Sequence, residues 1–139
     1  MSRAIRLIPF ICWFGIILYL SFTPLTGWPK LGMFEKLYAD ELVHITMYAI
    51  LCFLFLFGLA RSGEGSIGSK KLLVYAVVFC AGTGICIEIL QPLLTRFRQF
   101  EWLDMIANAI GAGVGAYAFS KLISRRFLQQ TLQRPASSL

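Results

Sequence analysis

Apolar residues in this chain come in blocks rather than in alternation. Four windows, about Ile5 to Phe22, Val43 to Leu59, Leu72 to Leu94 and Met105 to Ile123, read as near-continuous hydrophobic runs. Each approaches the roughly 20 apolar residues a helix needs to cross a bilayer. Lipid offers no partner to a backbone N–H or C=O, so a spanning segment must be a helix or part of a closed barrel. Barrel strands alternate outward apolar with inward polar residues, and these windows show no period-two alternation. The pattern predicts one all-α integral membrane domain over residues 1–139, with four transmembrane helices and a basic tail at 124–139.

Composition removes the soluble alternative. Of 139 residues, 58% are hydrophobic and 14% charged, with mean hydropathy +0.71. A soluble domain of this size lacks the polar side chain to cover so much apolar surface. Arg3 and Arg6 ahead of "LIPFICWFGIILYLSF" also fit the start of a signal peptide. However, "SFTPLTGWPK" has no Ala-x-Ala-like cleavage site, so a retained first helix is expected. Cys12, Cys52, Cys80 and Cys86 fall inside predicted helices with no CxxC spacing and read as packing residues.

Charge then orients the helices. Arg3 and Arg6, then Arg61, Lys70 and Lys71, then Lys121, Arg125, Arg126 and Arg134 fall on one side, and only Lys30, Lys36, Arg96 and Arg98 on the other. The positive-inside rule places both termini in the cytoplasm. The net charge of +6 is accordingly an orientation signal and an attraction to anionic lipid, not a nucleic-acid footprint. In the first outer connection, Met33, Phe34, Leu37 and Tyr38 share a helical face near Trp28, which predicts a short interfacial helix. Phe97, Phe100 and Trp102 form an aromatic belt in the second.

Polar residues gather where three helix ends meet this outer side. Asp40, His44 and Tyr48 share one face of the second helix; Gly84, Glu88, Gln91 and Thr95 share one on the third; Asp104, Asn108, Gly111 and Gly115 form a stripe on the fourth. Structural readings compete: Asp40 and Asp104 sit where N-caps belong, Gly111 and Gly115 form a GxxxG packing motif, and Tyr48 fits a bundle-facing aromatic. Glu88 resists such a reading, because an ionised acid deep in a spanning helix costs about 2.5–3.5 kcal/mol on insertion scales. Pro92 frees the Glu88 carbonyl and predicts a break there.

These residues resemble the pattern of the VanZ-like family. It reads here as "DELVHITMY" (Asp40, His44), "EILQ" (Glu88, Gln91), "RQFEWLD" (Arg98, Asp104) and "NAIG" (Asn108, Gly111), in order over about residues 40 to 115. Two positions depart from it: Glu41 stands where the family often has lysine, and "PLLTRF" replaces a Pro-Gly-like turn. The second departure makes either Arg96 or Arg98 the family arginine, the six-residue spacing to Asp104 favouring Arg98. The resemblance implies a bacterial inner-membrane protein that affects susceptibility to teicoplanin, and no settled activity.

Three functions fit. In the first, Arg98 with Arg96 holds the phosphate of an anionic lipid or lipid-linked envelope precursor, Glu88, Asp104 and Asn108 orient that arginine and contact the headgroup, and Gln91 belongs to the same binding site. In the second, the pocket is catalytic on a lipid headgroup, with His44 as base, Asp40 fixing its tautomer and Glu88 as acid or second base. A metal version would use Asp40, His44, Glu88 and Asp104. A single histidine and no His-x-x-x-His pair argue against a zinc hydrolase, so neither metal nor cofactor is assigned. In the third, the polar cluster is internal glue, and helix 4 joins a second copy or a membrane-complex partner through Gly111 and Gly115.

Overall fold

The computed structural model describes residues 3–24, 33–59, 70–96 and 99–132, and these hold four helices and no strand. They are α1 (Arg3–Phe22), α2 (Met33–Leu59), α3 (Lys70–Leu94) and α4 (Trp102–Leu132). All four are long and apolar enough to span a membrane, so the chain is a multi-pass membrane protein. Its outer surface suits lipid: Ile11, Tyr19, Val74, Tyr75, Val78, Leu93 and Tyr117 are exposed, which water would not tolerate over so large an area.

Two local expectations need correction. Residues Met33 to Tyr38 are helical, but they continue into α2 without a break and do not form a separate interfacial helix. No proline and no glycine before Gly58 interrupts the 27 residues, so nothing stops the intrahelical ladder from propagating. Likewise α3 runs through Pro92 to Leu94. The proline lies two residues from the helix end, so no second helical segment follows that a kink could turn away. Just beyond it, Thr95 donates from its N–H and from Oγ1 to the Gln91 carbonyl, at 2.9 and 2.7 Å, and closes the helix.

Antiparallel packing of consecutive helices follows from specific contacts. A Cβ on Gly58 would meet Leu7 side-chain atoms, so the end of α2 lies beside the start of α1. Farther along, Trp13 Nε1–H donates to the Met47 carbonyl at 2.9 Å. Gln91 Nε2 donates to the Ser21 carbonyl at 3.0 Å, which brings the ends of α1 and α3 to one level. At the opposite end Phe10, Phe55 and Phe79 cluster, with centroid separations of 5.0 Å for Phe10–Phe55 and 4.8 Å for Phe55–Phe79. Trp13→Phe keeps the ring and loses the donor. It should lower thermal stability by about 0.6–1 kcal/mol, the usual worth of one bond between membrane helices. An unchanged unfolding midpoint in detergent would show that the bond contributes nothing.

The tightest seam joins α2 to α4. Gly111 and Gly115 face the backbone of Ile45 and Ala49, leaving less than normal van der Waals room for a Cβ at either position. Ala107, Ala112 and Ala116 are also buried on α4. Because lipid is as apolar as the interior, such close backbone approach, and not a hydrophobic gradient, is what draws membrane helices together. The GxxxG motif is thus a packing motif within the chain. Its face is covered by α2.

Candidate functional site

His44 is the centre of the polar cluster. It lies on α2 above the glycine seam, and the parallel course of α4 brings Asn108 and Asp104 opposite it. Its Nδ1 is 3.0 Å from Asn108 Oδ1. An amide oxygen only accepts, so Nδ1 is the donor of this bond. Nε2 faces Asp104 Oδ2 at 3.5 Å and Asp40 Oδ1 at 3.9 Å. From α3, Glu88 Oε1 reaches within 3.9 Å of Nδ1.

Exposure falls steadily through this group. Glu101 is exposed, Asp40 keeps 33% of its side chain open, His44 13%, Asp104 6% and Glu88 1%. Polar groups therefore run as a continuous stair from the bundle end into its interior. Asn108 is also fully buried, and its Nδ2 has no hydrogen-bond partner among the described residues. Gly84 permits this arrangement: a Cβ there would lie 2.9 Å from Asn108 Cβ and 3.0 Å from Tyr48 Cε1. Tyr48 is itself buried and bundle-facing.

Asp40, His44, Glu88, Asp104 and Asn108, singled out by sequence, thus converge. Asp40 is not an N-cap, because α2 begins seven residues earlier at Met33. Asp104 lies in the first turn of α4, after a bond from its own N–H to the Glu101 carbonyl at 3.2 Å. Here it favours the helix dipole and is still free to point at His44. Gln91 is not brought to His44; its amide nitrogen is engaged by Ser21 at the end of α1. Arg96 lies exposed just past α3. Arg98, Phe97 and Trp28 lie outside the described residues.

No family model, curated protein or solved structure matches the chain. Function must accordingly be argued from the cluster itself. One member was missed from the sequence: Glu101 comes within ligand range of Asp40 and Asp104. Its signal was its place just before the first turn of α4, three residues ahead of Asp104.

Proposed function

We propose that this is a bacterial inner-membrane protein, with both termini in the cytoplasm, whose cluster around His44 binds the polar headgroup of an anionic lipid or lipid-linked envelope precursor. The observation that supports this reading is the stair of polar groups from exposed Glu101 to buried Glu88, at a helix end bordered by lipid-facing apolar residues. Carboxylates and an amide at that depth are suited to sugar or glycerol hydroxyls, which donate hydrogen bonds. The phosphate would be held by Arg98 and Arg96, which follow α3 directly in sequence, through charge-assisted bonds. The VanZ-like resemblance adds the inner-membrane location and a phenotype, altered teicoplanin susceptibility.

Lipid retention tests this reading. Wild type and Arg98→Ala are purified in mild detergent, and co-purifying lipids are identified by native mass spectrometry. One charge-assisted bond is worth about 1.5–3 kcal/mol, so occupancy by the anionic lipid should fall roughly 10- to 100-fold in the variant. If Arg98→Ala keeps both its lipid and the teicoplanin phenotype, the headgroup reading is wrong.

A catalytic reading shares the site and is favoured by one observation. His44 is held at Nδ1 by Asn108, leaving Nε2 toward the more open end, as a general base on a bound headgroup would need. Turnover of the retained lipid, lost in His44→Ala with binding preserved, would make the protein an enzyme.

A further inference from the structure

We propose that His44 Nε2, Glu88 and Asp104 hold a divalent cation at the junction of α2, α3 and α4. Each residue offers one ligand atom, and these atoms lie within 4.8 Å of one another although they come from three helices. Around a cation with ligand bonds of about 2.0–2.2 Å, neighbouring ligand atoms stand roughly 3–3.5 Å apart. The His44 Nε2 to Asp104 Oδ2 separation of 3.5 Å already meets this spacing. Glu88 joins the group from α3, with its Oε1 3.9 Å from Nδ1 of the same ring.

The state of the imidazole is an independent reason. A histidine that ligates a metal commonly donates its other ring N–H to a fixed acceptor, which sets the tautomer and aims the free lone pair. Asn108 Oδ1 is such an acceptor at Nδ1, and Nε2 is then directed at carboxylates from two helices. Carboxylates gathered about Nε2 from two helices repel one another until positive charge lies among them. Asn108 supplies a second sign of a ligand. Its buried Nδ2 is a hydrogen-bond donor without a partner among the described residues, and a water or headgroup oxygen in the cation's remaining coordination would satisfy it.

Two carboxylates and one imidazole suit a first-row cation such as Mn²⁺ or Zn²⁺ better than the all-oxygen shell of Ca²⁺. Asp40 and Glu101 form with Asp104 a second, more open acidic group that leads to the site from the surface. The proposal deepens the headgroup reading. A cation among carboxylates converts an acidic pocket into one that accepts a phosphate oxygen directly, and its role in headgroup binding rests on that reading, although its presence does not.

The test uses the full chain in detergent, stripped with EDTA and titrated with Mn²⁺ alone and with Zn²⁺ alone. One equivalent per chain is expected, with nitrogen coupling to bound Mn²⁺ in electron spin-echo spectra. His44→Gln should lose that coupling. Glu88→Gln and Asp104→Asn should weaken binding by about 10-fold or more, since even outer partners of a metal site are worth roughly 10- to 100-fold. Glu41→Gln, which alters an acid beside Asp40 but outside the cluster, should bind as wild type. Circular dichroism and gel filtration check that each variant is folded. Absence of a bound equivalent in folded wild type, or of nitrogen coupling, overturns the proposal without recourse to any variant. Retention of wild-type affinity in Glu88→Gln and Asp104→Asn also overturns it. Cation bound to a chain that retains no lipid leaves this site standing and removes the headgroup reading. Lipid retained equally before and after EDTA, on a chain that binds no cation, does the reverse.

Discussion

Gly111→Val is expected to leave little folded protein, whereas Gly113→Val, two residues away on the same helix, should be tolerated. The difference lies in what each new side chain would meet. At Gly111 even the first carbon runs into the backbone of Ile45, and a carbonyl within a helix cannot swing aside as a side-chain tip can. At Gly113 nothing lies within 4 Å of the added Cβ. Overpacking usually costs about 1–3 kcal/mol where neighbours relax. Two helix backbones pressed together have no such freedom, so a loss of about 3 kcal/mol or more is expected for the valine. α2 and α4 must then separate along the seam that also includes Gly115 against Ala49. That seam sets His44 opposite Asn108, so any folded Gly111→Val should also lose the headgroup and cation binding proposed above. Gel filtration and thermal unfolding in detergent compare the two. Equal midpoints for Gly111→Val and Gly113→Val would mean that the seam does not limit stability.

Phe119→Ala should cost about 2–3 kcal/mol while leaving the site intact. Phe119 is fully buried and meets Phe53 edge-on, with centroids 5.9 Å apart at 78°. In a soluble protein this truncation would lose both transfer energy and packing. In a membrane protein the transfer part largely vanishes, because the unfolded helix exposes the same ring to lipid. The cavity remains: removing roughly 100 Å³ at about 24 cal/mol per Å³ is worth about 2.4 kcal/mol. Because Phe119 lies on α4 three turns from Asn108, the cluster around His44 should keep its geometry. Reversible unfolding in mixed micelles measures the loss, and the lipid occupancy of the folded fraction reports on the site. A cost below about 1 kcal/mol would mean that neighbouring side chains collapse into the space.

Paired in this way, the two variants separate the fold's seam from its filling. Only the first should disturb the polar cluster.

Much of this molecule was legible in its sequence. Four apolar blocks could be nothing but spanning helices, because lipid leaves backbone groups no other partners. Helical spacing placed Asp40 with His44 and Asp104 with Asn108, since residues four apart share a face wherever the helix is packed. Up-and-down passage then brought the ends bearing Glu88, His44 and Asp104 to one level. The start of α2 was harder to place, because polar Glu35, Lys36 and Asp40 end the apolar run without ending the helix. Pro92 does not divide α3 because the helix ends two residues later, at Leu94, and leaves no second segment to kink.

What only the tertiary structure decided is how each helix is rotated about its axis. In water, an apolar face identifies itself by contrast with a polar one. In lipid, the buried and exposed faces are equally apolar, so hydrophobic periodicity carries little of that information. Close contact at Gly111 and Gly115 fixes the rotation of α4 against α2, and so turns Asn108 toward His44. The same rotations send Gln91 to Ser21 rather than into the cluster, and bring exposed Glu101 within reach of Asp40 and Asp104. Sequence alone determined which polar residues share a helix face; the fit of backbone against backbone decided which of them meet.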